Sequence, residues 1–270
     1  MRILFFGDVM GRAGREALTT RLPKLKRESN VDFVVANAEN ATNGLGLSPQ
    51  HASDLLAAGV DCITLGDHAF DQKTMVQYVE NEPRIIRPIN YARNAPGRGH
   101  QVYTTTDGGK ILVAQVLGQI FMRRPFDSPF WALEPVLGSS PLGGLVQAAI
   151  IDAHCEATSE KTAMGYYCDG RVSLVAGTHT HVPTADARIL SKGTAYISDV
   201  GMCGDYNSII GIAAEEPMQR FVMGMAKKRF TPAKGEATLS AVIVDVDNRT
   251  GLARSIEHRK IGGVLGNLED

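Results

Sequence analysis

Four of the chain's seven histidines stand just past apolar, strand-like runs: His68 in LGDHAFD, His154 in IIDAHCE, and His179 and His181 in LVAGTHTH. Carboxylates obey the same rule, since ILFFGD ends in Asp8, FVVANAEN ends in Glu39 and Asn40, and Asp67 directly precedes His68. Imidazole nitrogens combined with carboxylate oxygens suit manganese, iron or zinc, whereas an all-oxygen set would point to magnesium or calcium. One ion would rarely need so many donors. Asp8, Glu39, Asn40, Asp67, His154, His179 and His181 are enough for two, with one carboxylate bridging. Two-metal sites hold their ions roughly 3.5–4 Å apart, activate a water as hydroxide, and stabilise the attacking and leaving oxygens at phosphorus. Phosphoester hydrolysis is the chemistry this set points to.

Residues so far apart in sequence can meet only if the fold gathers them. In an open α/β sheet, ligands bind beyond the carboxyl ends of the strands, and each of these residues follows such a run. Strands are expected over 3–6, 33–36, 62–65, 111–116, 148–151, 173–176 and 195–197. Helices are expected over 15–26 and from Pro49 to about residue 58, the second with Ser48 as its cap, Pro49 in its first position and Gly59 as its stop. Residues 239–247 and 252–259, around the turn Asn248-Arg249-Thr250-Gly251, resemble an antiparallel hairpin. The segment 119–144 breaks the alternation with prolines, glycines and aromatics, and reads as one long loop near the active rim. Two roles stay open for it. It could wall the site, with Arg123 or Arg124 meeting phosphate and Phe126, Phe130 or Trp131 stacking on a base; or it could be a surface crossover packed by its own apolar residues.

The 270 residues fit one large α/β domain spanning 1–270. With 28 basic and 29 acidic residues there is no global basic field to draw long nucleic acid. That balance leaves room for a small anionic substrate, and excludes neither RNA as a partner nor assembly into a homo-oligomer. Cys62, Cys155, Cys168 and Cys203 form no CxxC pair and no disulfide framework, which fits a reducing cytoplasm. A strand begins at Arg2, leaving no room for a signal peptide, and no apolar run approaches the roughly 20 residues that span a bilayer. A soluble cytoplasmic protein with no membrane partner is expected.

Taken singly, most of these residues have plainer uses: Asp8 as a helix cap, Glu39 and Asn40 as turn formers, His154 as a satisfied buried polar group. Their joint placement favours ligation. For His179 and His181, the period-two spacing of a strand would put both rings on one side. Asp71, His51, His100 and His258 lack such support and are assigned surface or capping roles. Asp199, Asp205 and Asn207 are expected in a rim loop, where stabilising the turn is at least as good a reading as ligation. Gly11 and Gly14 give a weak signal for phosphate approach to the backbone.

Gly7-Asp8, Glu39-Asn40, Gly66-Asp67-His68, Arg87-Pro88 and above all Gly177-Thr178-His179-Thr180-His181 resemble the calcineurin-like metallophosphoesterases, and more narrowly their bacterial YmdB-like branch. The resemblance runs from Met1 through 195–211 and on to the C-terminal hairpin. It implies an αββα sandwich, a dinuclear iron or manganese centre, and phosphodiesterase activity on cyclic nucleotides such as 2′,3′-cAMP. Matched by position, it implies Asp8, Glu39, Asn40 and His181 on one metal, with Glu39 bridging to a second that Asp67, His154 and His179 complete. His68 becomes the general acid that protonates the leaving oxygen.

Two departures stand out. The superfamily's histidine two residues after the first aspartate is Met10 here, with Asn40 as the substitute donor, a feature of this branch. The superfamily's Gly-Asn-His reads Gly66-Asp67-His68, exchanging a neutral amide for a carboxylate. Two other classes compete. A metal-dependent amide or peptide hydrolase lacks support because HExxH is absent. A regulatory or RNA- or nucleotide-binding protein that retains the metal site with little turnover is the alternative.

Overall fold

Strand β1 (Arg2–Phe6) is buried from its second residue onward, the pattern of a strand covered on both faces, and the rest of the chain builds around it. The computed structural model describes residues 1–266. After β1 come β2 (Asp8–Val9), α1 (Gly11–Glu28), β3 (Phe33–Asn37), α2 (Pro49–Ala57), β4 (Cys62–Thr64), α3 (Met75–Asn81) and β5 (Ile85–Ile86). The middle of the chain gives β6 (His100–Thr104), β7 (Lys110–Leu117), α4 (Pro129–Ser139), β8 (Ala148–His154), α5 (Thr158–Cys168) and β9 (Leu174–Thr178). It closes with β10 (Arg188–Ile189), β11 (Ala195–Ile197), β12 (Met202–Cys203), α6 (Glu215–Met223), β13 (Leu239–Val246) and β14 (Ala253–Ile261).

Twelve of these strands form two six-stranded sheets, ordered β14-β13-β1-β3-β4-β5 and β10-β11-β9-β8-β7-β6, while β2 and β12 pair in parallel as a two-stranded sheet. Both have a parallel centre, β1-β3-β4-β5 in one and β7-β8-β9-β11 in the other, so the strands that carry the candidate ligands run in one direction within each sheet. The sheets meet through Ile3, Phe5, Phe33 and Val35 on one side and Ile111, Val113, Ile150 and Leu174 on the other. Outside the first sheet lie Leu18 and Leu22 of α1 and Leu55 and Leu56 of α2; outside the second lie Leu133 and Val136 of α4 and Met164 of α5. The layers are therefore helix, sheet, sheet, helix, an αββα sandwich. Each fully buried aliphatic or aromatic side chain contributes about 1.5–3 kcal/mol to holding it.

The segment 119–144, expected as one loop, contains a helix. Residues 129–139 are helix α4, with Ser128 accepting from the Trp131 amide and Pro129 in its first turn. Helix α1 also starts earlier than expected, at Gly11. Within it, a side chain at Gly14 would collide with the Cys203 carbonyl, so that glycine serves close packing of α1 on β12. The Gly11 amide is taken by the Asn40 carbonyl at 3.0 Å.

Candidate metal centre

The short strand β2 just past β1 and the loops after β3 and β4 supply the oxygen donors of the set, while the end of β8 and the turn after β9 supply its imidazoles. Glu39, Asp67, His154 and His179 each bring one ligand atom into a group whose members all lie within 4.8 Å of one another. His154 Nε2 is central, 3.0 Å from Glu39 Oε1, 3.4 Å from Asp67 Oδ1 and 3.1 Å from His179 Nδ1. Beside this group His181 Nε2 faces Asn40 Oδ1 at 3.2 Å and Asp8 Oδ1 at 3.9 Å. Asp8 joins the two groups, since its Oδ2 accepts from the His179 amide at 3.1 Å.

Two observations test whether cations fit here. Asp8 is fully buried, and its Oδ1 has no hydrogen-bond partner among the described residues. An unpaired buried carboxylate oxygen is costly, and a cation is the partner that its neighbours Asn40 and His181 could share. At Gly66, a Cβ would strike Glu39 Oε2 and His154 Nε2, so only glycine lets these donors converge. The donor set of carboxylates, one amide and three imidazoles suits a pair of transition-metal ions.

Beneath the donors lies a buried polar network. Asp152 accepts from Thr64 Oγ1 (2.6 Å), Gln115 Nε2 (2.8 Å), Asn37 Nδ2 (3.1 Å) and Thr178 Oγ1 (2.6 Å). Because Thr178 spends its proton on Asp152, its oxygen is free to accept from His154 Nδ1, 2.8 Å away. That arrangement assigns the Nδ1 proton and leaves Nε2 aimed at Glu39 and Asp67. His181 is oriented in the same way, its Nδ1 donating to the Ile210 carbonyl at 2.8 Å.

Backbone strain concentrates at these residues. His179 has φ +93°, His181 +65° and Ile210 +47°, the left-handed region that side-chain-bearing residues avoid at a cost of about 1–3 kcal/mol each. The two histidines follow β9 rather than belonging to it, so a strained turn presents them to different groups of donors; the strand pleat does not align them. Asp199 secures that turn. Its Oδ2 accepts from the Thr180 amide and hydroxyl and pairs with the buried Lys161 ammonium at 2.6 Å. Asp205, accepting from the Asn207 and Gly235 amides, has the turn-stabilising role.

Burial pushes the Asp8 carboxyl up to about 6, against the opposing pull of His181 and His154. Glu39 is buried as deeply, yet the charge and hydrogen bond of His154 outweigh burial and hold it below its ordinary value. Asp67 goes the same way, burial being outweighed by the hydrogen bond and charge of His154 and the charges of His68 and His179. Reciprocally, Glu39 and Asp67 overcome burial at His154 and raise it well above a free imidazole. Burial, reinforced by the charge of His154, lowers His179 to about 4.

His68 stands apart from the metal-facing atoms. Its amide donates to Glu39 Oε2 at 2.8 Å, while its Nδ1 bonds Asp71 Oδ2 at 2.7 Å. Asp71 is thus no mere surface residue. Asp67, His68, Asp71, Arg123 and Arg124 line a cavity of ≈ 380 Å³. The aromatic residues of the neighbouring segment are engaged elsewhere or turned out: Phe126 packs on Tyr91, Phe130 packs edge-on against Tyr167, and Trp131 is 80 % exposed.

Comparison with known proteins adds an independent line. The family described as YmdB-like protein matches residues 4–259. The 2′,3′-cyclic-nucleotide 2′-phosphodiesterase of Bacillus subtilis is 42% identical over 257 residues, covering 95% of this chain and 96% of that protein. A putative phosphatase/phosphodiesterase of Mycoplasma genitalium is 36% identical, covering 97% and 93%. Among solved structures, a hypothetical protein of Thermus thermophilus superposes with a TM-score of 0.89 at 41% identity, covering 96% of this chain and 98% of the other. A novel phosphatase of Mycoplasma pneumoniae does so with a TM-score of 0.89 at 37% identity, covering 97% and 93%.

Proposed function

The chain belongs to the YmdB-like protein family, and from that premise we propose that it is a dinuclear metal-dependent phosphodiesterase acting on small phosphodiesters, 2′,3′-cyclic nucleotides such as 2′,3′-cAMP among them. The observation that carries the reading is the buried, unpartnered Asp8 oxygen beside the convergent group of Glu39, Asp67, His154 and His179. In this reading Asp8, Asn40 and His181 would hold one ion and Asp67, His154 and His179 the other, with Glu39 placed to serve both. Iron or manganese matches the mixture of hard oxygens and imidazoles, with zinc as the third candidate. Bound there, the ions supply Lewis acidity at the phosphoryl oxygens and a water acidic enough to ionise near neutral pH.

The chain's own groups do the rest. Asp152, through Thr178, fixes the His154 ring, and Ile210 fixes that of His181, so the donors need little rearrangement. In its doubly protonated form His68 gives its Nε2 proton to the leaving oxygen and keeps the Nδ1 proton on Asp71, which holds the ring so that Nε2 is the nitrogen available for transfer. All four cysteines are buried free thiols, which supports a reducing compartment such as the cytoplasm. No helix among the described residues is long and apolar enough to cross a membrane.

Protein purified anaerobically is expected to carry close to two transition-metal equivalents and to hydrolyse 2′,3′-cAMP. Asp8→Ala, Glu39→Ala and His181→Ala lower metal content and activity together, Glu39→Ala most because a bridging ligand serves both ions. Full activity in a demonstrably metal-free preparation refutes the mechanism.

A further inference from the structure

The loop between β7 and α4 is fastened at both ends and leaves two arginines beside His68. At its start, the amides of Gln119 and Ile120 donate to the Glu160 carboxylate at 2.9 and 3.2 Å. Gln119 Nε2 then donates across the loop to the Phe126 carbonyl at 2.8 Å. At its far end, the Phe126 ring packs 5.3 Å from that of Tyr91, whose hydroxyl donates to the Asp67 carbonyl at 3.2 Å. Asn90 Nδ2 donates to the Asp127 carbonyl at 2.8 Å. Between these ties, Arg123 and Arg124 line the cavity shared with Asp67, His68 and Asp71. Among the described residues neither guanidinium has a carboxylate within 4.0 Å, although two acidic side chains line the same cavity. The loop holds two unneutralised cations over an opening large enough for a nucleotide.

We infer that Arg123 and Arg124 form a second phosphate subsite on the leaving-group side of the metal centre, selecting 2′,3′-cyclic nucleotides whose ribose also carries a 5′ phosphate. The inference rests on the phosphodiesterase reading. In that reaction the oxygen of water joins phosphorus, the P–O2′ bond breaks, and the 2′ oxygen departs with a proton, leaving a 3′-monophosphate and an untouched 5′ substituent. His68 marks the leaving side, because it delivers that proton. The arginines share the cavity of His68 and contribute nothing to the donor group, so they face the part of the substrate beyond the leaving oxygen. On a cyclic nucleotide that part is the ribose and whatever its 5′ oxygen bears. Planar guanidinium groups match phosphate oxygens in pairs, and they discriminate an anionic 5′ group from a bare hydroxyl. Both a 5′-phosphorylated mononucleotide and the cyclic-phosphate end of an oligoribonucleotide present this chemistry.

The test compares kcat/KM, at matched metal occupancy, for adenosine 2′,3′-cyclic phosphate, its 5′-phosphorylated form, and the dinucleotide ApA ending in a 2′,3′-cyclic phosphate. The wild-type protein is expected to prefer one or both 5′-substituted substrates by about 10- to 100-fold, the range of hydrogen bonds to charged groups. Preference for the mononucleotide form alone identifies a terminal phosphate as the ligand; preference extending to ApA identifies the internucleotide phosphate as well. In the double variant Arg123→Ala/Arg124→Ala the ratio falls to within about twofold of unity, and the Lys/Lys variant retains part of it. Calorimetric binding of adenosine 3′,5′-bisphosphate against adenosine 3′-monophosphate gives a readout without turnover, and its affinity ratio should collapse in the same variants. A wild-type ratio near unity, or a preference that survives the double alanine substitution, overturns the subsite while leaving the phosphodiesterase reading intact. Failure to hydrolyse any of the three substrates with metals bound overturns both.

Discussion

Asp67→Asn should convert a site that tolerates phosphodiesters into one that grips phosphate dianions. The Asp67 carboxyl lies below its ordinary value, because the hydrogen bond and charge of His154 and the charges of His68 and His179 outweigh its burial. It is therefore ionised at neutral pH. Its ligand oxygen lies within 4.8 Å of the other donor atoms of the group. A phosphoryl oxygen seated against that group is about 5 Å from the carboxylate, and at an effective dielectric of about 20 the repulsion is roughly 3 kcal/mol per unit of ligand charge. Asparagine keeps the shape and removes the charge. A monoester dianion or inorganic phosphate then gains about one charge unit more than a diester monoanion. Halving the figure for solvent access at the cavity mouth leaves about 1.5 kcal/mol, or roughly 10-fold in relative kcat/KM.

The assay pairs an aryl phosphomonoester with the corresponding bis-aryl phosphodiester, at constant ionic strength and matched metal occupancy, and adds the inhibition constant of inorganic phosphate. The variant is expected to raise the monoester-to-diester ratio, bind phosphate more tightly, and release its metals more readily. If the fully metal-loaded Asp67→Asn variant shows neither the altered ratio nor tighter phosphate binding, Asp67 does not act through its charge at the site, and this reasoning fails.

Further expectations follow from other parts of the centre. His68→Ala should retain metals while slowing substrates with poor leaving groups far more than activated aryl diesters, and Asp71→Asn should do the same more mildly; equal slowing of both substrate types removes His68 as general acid. Lys161→Met leaves the buried Asp199 carboxylate uncompensated beneath the strained turn and should cost about 3–5 kcal/mol in chemical denaturation, with Lys161→Met/Asp199→Asn recovering much of it. Asp8, raised from 3.8 to about 6 by burial, holds its proton more tightly folded than unfolded. That contribution is present below about pH 4 and is lost as pH climbs through about 6, so metal-free protein should lose stability over this window. For the same reason metal uptake should release about one more proton near pH 5 than near pH 7.5, which calorimetry in buffers of different ionisation enthalpy counts; an unchanged count means that Asp8 is not proton-bearing in the metal-free protein.

Much of the scaffold was legible because its signals are local. Apolar runs marked the central strands, Ser48-Pro49 marked the start of α2, and the Asn248–Gly251 turn marked the hairpin. Helix α4 carries the same signal at Ser128-Pro129, hidden among the prolines and aromatics around it. The residues that orient the site were less visible. Thr64, Gln115 and Asp152 lie inside apolar strands, and nothing in a strand's alternation distinguishes a buried polar residue aimed at the opposing sheet from ordinary strand composition. Asp71 contacts His68 only because the turn after β4 brings it back. The pairing of His179 and His181 with different neighbours depends on positive φ angles that period-two reasoning misses.

The division of donors between the sheets explains why so much polarity is buried beneath them. Asp8, Glu39, Asn40 and Asp67 come from segments that directly follow strands of the first sheet, whereas His154, His179 and His181 come from the second, so the geometry of the centre is the geometry of one sheet relative to the other. Apolar packing between Ile3, Phe5, Ile150 and Leu174 drives the sheets together but is non-directional. Directional ties are needed to fix their alignment to the tolerance that catalysis demands. Asp152 supplies them, accepting from Asn37 of β3 and Thr64 of β4 across the interface, while Gln115 of β7 spans the same gap to the Leu65 carbonyl. These bonds lie directly under the Glu39–His154 contact, where a small slip would separate oxygen from nitrogen donors. Burying a carboxylate there is tolerable because four donors satisfy it, and two of those bonds, from Asn37 and Thr64, hold the metal-facing atoms of the two sheets in register.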